Sequence, residues 1–423
     1  MKMEWMQKVK KEASAAWEYV VVFFKWLFLS VFIGLVCGGV GTLFHHLLEL
    51  AAEKFALHSW LLYLLPVGGL LIVALYRGIK LKESIGTNQV ILAVRQDGRV
   101  PVRLAPVIFS GTLLTHLLGG SAGREGAALQ LGGSLGSCIG RLANLRTQNL
   151  HLATLCGMSA MFSAVFGTPL AAAVFSIEVI CVGWMYYSAI FPCMVASVTG
   201  YGVSVLLGTH PMRFTLHQIP RISAVSMAQT VGFSVLLALV SILFCVAMRT
   251  SHKAIKKWLK NPYLRVVVGG VTVVALTLLL GTRAYNGAGI STLEAALSGQ
   301  ALPWAFVLKL LITAITLGAG YKGGEIVPAF FVGATFGCTV AAFCELPAGF
   351  GAALGMIAVF CGVTNCPITS LLLAAELFSA QGMLYFGVAV ATVFLLSGYF
   401  SLYSAQKFAF SKLTNQTVDI SGR

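Results

Sequence analysis

The sequence predicts an all-α, polytopic membrane protein whose many tilted and broken helices fall into two inverted repeats. Three observations predict it. First, 58% of the 423 residues are hydrophobic and only 10% are charged, whereas a soluble domain carries about a quarter charged. Second, charge-free runs recur along the chain, among them 26–48, 55–76, 104–123, 222–248 and 266–282, and a helix needs roughly 20 apolar residues to cross a bilayer. The runs are continuous and not alternating, which favours helices over a barrel. Third, two short motifs occur twice in the same order.

The motifs are these. Gly123-Arg124-Glu125 with Gly133, and Gly323-Gly324-Glu325 with Gly333, share the form G-x-E-x7-G. Downstream, Pro169 precedes Glu178 by nine residues, and Pro367 precedes Glu376 by nine. The two motifs lie 46 residues apart in the first copy (Gly123 to Pro169) and 44 in the second (Gly323 to Pro367). A single membrane domain over 1–423 is therefore expected, with halves at about 20–210 and 220–405 and no regulatory C-terminal domain. Inverted repeats of this kind place an ion site at their interface. The charge-free runs 147–177, 179–212, 346–375 and 377–406 exceed one span and hold glycine, proline or small polar residues. Each is expected to hold two short or broken helices.

The net charge of +15 would point to nucleic acid in a soluble chain. Here the positive residues stand between apolar runs: Lys8, Lys10 and Lys11; Arg77, Lys80 and Lys82; and the cluster from Arg249 to Arg265. The positive-inside rule puts all three groups on the cytoplasmic side. Orientation in the bilayer is a plainer role for them than binding anionic lipid. Met1 to Glu12 does not read as a removed signal peptide. The expected setting is a bacterial inner membrane, with both termini cytoplasmic. The ten cysteines form no C-x-x-C pair and no zinc-spaced cluster. There is no H-E-x-x-H, no paired-aspartate motif and no Cys/His arrangement, so an enzyme is not expected, nor a cofactor or metal.

The segment from Gly119 to Ala127 carries the chemistry. Its glycines let the backbone approach an ion and free the amides at the start of the following apolar stretch. A helix N-terminus holds about half a positive charge, so an anion can rest there without a full counter-charge and still leave. Glu125 stands at that helix start, where its carboxylate occupies an anion's seat and vacates it on protonation. The plainer alternatives are an N-cap carboxylate or an ion pair with Arg124. The segment Tyr321 to Pro328 repeats the arrangement, with proline in the first turn. His45, His46 and His116 are read as packing or interfacial histidines. Glu178 and Glu376 are read as braces for neighbouring helices.

GREGAALQLGGSLG resembles the GREGP motif of the CLC chloride channels and transporters, and GGEIVP resembles that family's GxFxP. FGTPLAAAVFSIE resembles the family's proline-led helix. Ser401-Leu402-Tyr403-Ser404 resembles its C-terminal helix. The resemblance implies the CLC fold, a homodimer with one pore per subunit, and roles for particular residues. Glu125 takes the external gate and proton position, and Tyr403 the tyrosine at the central anion. The amides of Ile326 and Val327 line the site from the second half. Gly123, Arg124 and Gly126 surround the gate, and Gly323 and Gly324 shape the facing turn.

The chain also departs from the pattern. The stretch Ser84-Ile85-Gly86-Thr87-Asn88 stands where the family has GSGIP. Ile85 takes the site serine's place beside Gly86, and Asn88 takes the proline's. Ala127 replaces the proline of GREGP, Ile326 replaces the phenylalanine of GxFxP, and Glu325 is an additional acid. Val179 takes the position of the internal proton-transfer glutamate. These departures, with GGSAGREG and Y-K-G-G-E, resemble the fluoride-exporting branch, which usually has methionine where Ile85 stands. Chloride and fluoride stay equally open, as do proton-coupled antiport and a passive channel. Thr87, Asn88 and Glu325 are candidates for an altered polar environment at the site.

Overall fold

The computed structural model describes residues 2–80, 86–96, 98–216, 218–414 and 416–423. Ile85 lies outside the described residues. The first half contains α1 (Lys2–Leu57), α2 (Leu65–Gly78), α3 (Thr87–Arg95), α4 (Leu104–Leu117), α5 (Glu125–Leu142), α6 (Thr147–Phe166), α7 (Pro169–Glu178) and α8 (Ile190–Leu206). The second contains α9 (Ala224–Trp258), α10 (Pro262–Leu280), α11 (Ile290–Leu297), α12 (Ala305–Ala319), α13 (Ile326–Val340), α14 (Ala348–Thr364), α15 (Pro367–Phe378) and α16 (Met383–Leu396). Among the described residues, seven helical segments are long and apolar enough to cross a membrane, and six more apolar helices are shorter than a span. This mixture is the expected all-α architecture of broken helices.

Local chemistry fixes where the helices break. The run 147–177 divides where Gly167 takes a left-handed φ of +79° and Pro169 opens α7. The run 346–375 divides at Asn365, also left-handed, with Pro367 opening α15. The other two long runs correct the sequence reading. The run 179–212 contains one α-helix, α8, preceded by a two-residue strand, β1 (Cys181–Val182), and irregular chain turning at Gly183. The run 377–406 contains α16 and then a non-helical segment, so Tyr403 stands on a turn and not on a C-terminal helix. After that turn, β2 (Lys407–Phe410) pairs parallel with β1 and antiparallel with β3 (Thr417–Ser421). Lys407 forms an ion pair with Asp419 across that hairpin.

Glycines set the closest helix contacts, as small residues do where lipid supplies no hydrophobic drive. A Cβ on Gly132 would stand 2.1 Å from the Gly157 carbonyl oxygen, so α5 and α6 touch backbone to backbone. In the second half a Cβ on Gly333 would stand 2.3 Å from the Gly355 oxygen, and α13 and α14 meet in the same way.

The halves brace one another reciprocally. The Glu178 carboxylate, at the end of α7, accepts from the Ile368 and Thr369 amides at 3.0 and 2.8 Å and from the Thr369 hydroxyl at 2.6 Å. Glu376, near the end of α15, accepts from the Leu170 and Ala171 amides at 2.9 Å each. Each acid satisfies orphan donors at the other helix's N-terminus, where negative charge is favoured. Beside them five rings close a circuit: Phe162 to Phe175, Phe360, Phe330, Phe166 and back, with centroids 5.2–5.7 Å apart. Such aromatic pairs stabilise beyond their buried area.

Replacing Glu178 with alanine leaves two buried-end amides and a hydroxyl unpaired. It is expected to cost about 2 kcal/mol, and Glu178→Gln about half of that, because the amide keeps one acceptor. Thermal unfolding in detergent checks this; equal melting temperatures for wild type and Glu178→Ala would remove the brace.

Candidate anion site

Two loops build the centre. The first leaves α4 through Gly119, left-handed at φ +79°, and runs to Arg124. The second leaves α12 through Gly320, at φ +112°, and runs to Glu325. They meet as a single antiparallel bridge: the Gly123 amide donates to the Gly324 oxygen at 2.8 Å, and the Gly324 amide donates to the Gly123 oxygen at 2.7 Å. No side chain fits between them. A Cβ on Gly324 would lie 2.5 Å from the Gly126 nitrogen, and one on Gly323 would lie 2.4 Å from the Ala122 Cβ. The buried Lys309 steadies the first loop indirectly. Its Nζ donates to the Gly287 oxygen at 2.7 Å, and that oxygen also accepts from the Ala122 amide at 3.3 Å.

The bridge delivers the N-termini of α5 and α13 to one place. The first-turn amides of each helix, including those of Gly126 on one side and Ile326 and Val327 on the other, have no partner within their own helix. Two converging N-termini favour negative charge between them. Glu125 is fully buried at the start of α5. Its Oε2 accepts from the Arg124 amide at 3.1 Å, and Oε1, which has no hydrogen-bond partner among the described residues, lies 3.6 Å from Arg124 Nε. The Arg124 guanidinium turns from there to His45, with Nη1 2.9 Å from Nδ1.

Below the bridge lies a cavity of about 740 Å³. Gly126, Gly323, Gly324 and Glu325 line its inner end, together with Tyr403 and the stretch Gly86, Thr87 and Asn88. Its exposed mouth carries Arg77, Lys253, Lys256 and Lys260, and Arg249, Arg265 and Lys322 lie further along the lining. Most of the third positive group of the sequence, with Arg77 from the second, thus gathers at one cavity. Glu125 itself does not line the cavity, though the next residue, Gly126, does. Neither do Gly123, Arg124, Ile326 or Val327, which lie behind the lining.

Tyr403 is buried, on a turn held from several sides. The Leu402 amide donates to the Val363 oxygen at 2.9 Å, Gln406 Nε2 donates to the Thr364 oxygen at 2.8 Å, and the Ala405 amide donates to Asn88 Oδ1 at 2.9 Å. Asn88 is therefore a brace for the tyrosine's turn. Thr87 donates weakly to the Gly126 oxygen at 3.4 Å. Gln130 ties the pair together, since its Nε2 reaches Thr87 Oγ1 and the Gly126 oxygen at 3.2 Å each. Val179 is fully buried where α7 ends. Gln130 and Lys309 are neighbours of the site that sequence reasoning passed over, and His45, read there as a packing or interfacial histidine, meets Arg124. Gln130 and Lys309 were visible as lone polar residues in apolar helices, but nothing in the sequence said what they face.

The sequence model of one protein family, described as voltage gated chloride channel, matches residues 68–398. The chain belongs to this family, the CLC proteins. It is an integral, multi-pass CLC membrane protein, and anion transport is that family's activity. A chloride/fluoride channel protein of Pseudomonas syringae pv. tomato is 32% identical over 395 residues, covering 92% of this chain and 87% of the relative. A voltage-gated ClC-type chloride channel of Shigella flexneri is 26% identical over 398 residues, 90% of each chain. Among solved structures, a CLC-type fluoride/proton antiporter superposes with a TM-score of 0.88 at 29% identity, over 91% of this chain and 98% of the other. A slow cyanobacterial chloride/proton antiporter superposes at 0.76 with 18% identity, over 88% and 94%, a likeness of fold.

The backbone contact across the CLC loops generates a prediction. Gly324→Ala places a methyl group against the Gly126 backbone, which cannot yield. Halide binding by calorimetry is expected to fall at least about tenfold, the equivalent of 1.4 kcal/mol, while the protein stays monodisperse. Binding that survives unchanged would mean the two loops need not touch.

Proposed function

We propose that this CLC protein exchanges fluoride for protons, with Glu125 as the gate and proton carrier. The observation that carries the reading is the buried Glu125 carboxylate, one residue before the cavity-lining Gly126, at the meeting of two helix N-termini. A carboxylate there stands in for a substrate anion. On protonation it loses the attraction of the helix ends and of Arg124 and swings out, and an anion takes the seat. Tyr403 presents its hydroxyl to the anion below, and the amides of Gly126, Ile326 and Val327 complete the seat. Gly123, Gly323 and Gly324 keep the loops close.

Fluoride is favoured over chloride by two lines. The likeness to a fluoride/proton antiporter extends over nearly the whole chain at 29% identity. The polar groups around the cavity's inner end, Thr87, Asn88 and Glu325, with Gly86 beside them, suit a small, strongly hydrated ion whose site lacks a serine at Ile85. Val179 leaves no acid at the internal proton position, so Glu325, facing the cavity, is the acid that replaces it. The basic mouth concentrates anions and sits on the cytoplasmic side of a bacterial inner membrane, which leaves both termini cytoplasmic. Segments 20–210 and 220–405 act as inverted halves. The stretches 170–176 and 371–375 pack two copies into a homodimer. Transport needs no cofactor and no enzymatic step.

Halide efflux from proteoliposomes, read by fluoride and chloride electrodes with a pH probe, tests this. Fluoride flux well above chloride flux, with linked proton movement, is expected. Chloride flux without proton movement would replace the reading by a passive channel and give Val179 its meaning. Glu125→Gln is expected to abolish proton movement while anion flux continues, and proton-driven uptake surviving in it would refute the gate. Tyr403→Ala is expected to weaken anion binding about tenfold, the loss of one charge-assisted hydrogen bond of about 1.5 kcal/mol.

A further inference from the structure

From the geometry we infer that His45, held between Arg124 and Glu49, is a positioning residue that couples the Glu125 gate to the pH on the membrane face where α1 ends. The inference rests on Glu125 being the gate.

His45 is buried in α1, and its two ring nitrogens are both engaged. Nδ1 lies 2.9 Å from Arg124 Nη1. A guanidinium only donates, so Nδ1 accepts and carries no proton. Nε2 lies 2.9 Å from Glu49 Oε1. A carboxylate accepts, so Nε2 carries the proton. One neutral tautomer satisfies both ends. Glu49 is about half exposed, at 53%, and so connects this buried chain to water. The order from outside inward is Glu49, His45, Arg124, Glu125.

Few other groups compete for the ring. His46 lies beside it, with ring centroids 5.7 Å apart, and its Nδ1 is 3.7 Å from Glu49 Oε2. From α6 the Val165 backbone faces the ring. Helix α8 carries no charged or histidine side chain. Helix α4 carries only His116, whose Nδ1 is turned to the Thr112 oxygen at 2.9 Å. From the N-terminal end of α5 come Arg124, its N-cap, and behind it Glu125.

Protonation of His45 has a definite consequence. A proton on Nδ1 sets two donors, and two cations, against each other, so the bond to Arg124 breaks. The guanidinium then turns to the Glu125 carboxylate, already 3.6 Å away, and holds its charged, seated form. Acid therefore acts twice with opposite signs. Protonation of Glu125 opens the gate, and protonation of His45 restrains it.

The test is anion flux from proteoliposomes at equal pH on both sides, from about pH 8 to about pH 4, a range that spans imidazole titration. Wild-type flux is expected to rise on acidification and then turn down. His45→Asn keeps an acceptor near the Nδ1 position and takes no proton, so its flux is expected to exceed wild type severalfold at the acid end and lose the downturn. Glu49→Gln removes the charge that stabilises the imidazolium, so its downturn is expected to shift to lower pH. Glu49 is at the surface, and this variant keeps the test open where His45→Asn fails to fold. Wild-type profiles in both variants, or a His45→Asn flux lowered by one factor at every pH, would overturn the inference. Glu125→Gln measured alongside separates the two readings. If it uncouples protons while His45→Asn behaves as wild type, only the role of His45 falls; if it stays coupled, the gate falls.

Discussion

Everything at the centre of this protein depends on two backbone loops approaching without side chains between them. The paired hydrogen bonds between Gly123 and Gly324 fix the starts of α5 and α13 against each other. Neither helix end could serve an anion well alone, because a single N-terminus offers a few amides from one side. Brought together, they supply donors from two directions with no full positive charge in the seat. That balance suits an ion that must enter and leave. The full charges stand elsewhere: Arg124 lies beside Glu125, outside the cavity lining, and lysines and arginines line the cavity.

The rest of the fold keeps that approach in register. Glu178 and Glu376 each close the other half's helix end. The five-ring circuit of α6, α7, α13 and α14 packs the same seam with rigid aromatic surface. Glycine contacts between α5 and α6, and between α13 and α14, set each half's own helices at backbone distance. These devices occur in matching pairs, so a distortion in one half meets a counterpart in the other. The same architecture leaves the Tyr403 turn dependent on the first half through Asn88.

Much of this was legible in the sequence, and the reason is local. Glycine and proline act where they stand: Gly123, Gly324, Pro169 and Pro367 mark loops and helix starts regardless of tertiary context. Their near-equal spacing, 46 residues from Gly123 to Pro169 and 44 from Gly323 to Pro367, suggested the repeat, and Glu178 and Glu376 read as braces from position alone. What stayed hidden was set by contacts between distant segments. His45 reads as a packing histidine in a long apolar span, and only the fold brings it to Arg124, 79 residues on. The Tyr403 segment resembled a helix. Its backbone bonds instead run to α14 and to Asn88, which sequence spacing does not show. The runs 179–212 and 377–406 looked like pairs of helices, yet each gives part of its length to the small sheet around β2 and the turns that feed it.

The central claim is that the Glu125 carboxylate and the transported anion compete for one seat. Calorimetric binding of fluoride and chloride across pH, in wild type and in Glu125→Gln, addresses it directly. The account predicts that wild-type affinity weakens as pH rises and the carboxylate reoccupies the seat, whereas the glutamine variant binds more tightly at high pH and with little pH dependence. Identical affinities and identical pH profiles in the two proteins would contradict it.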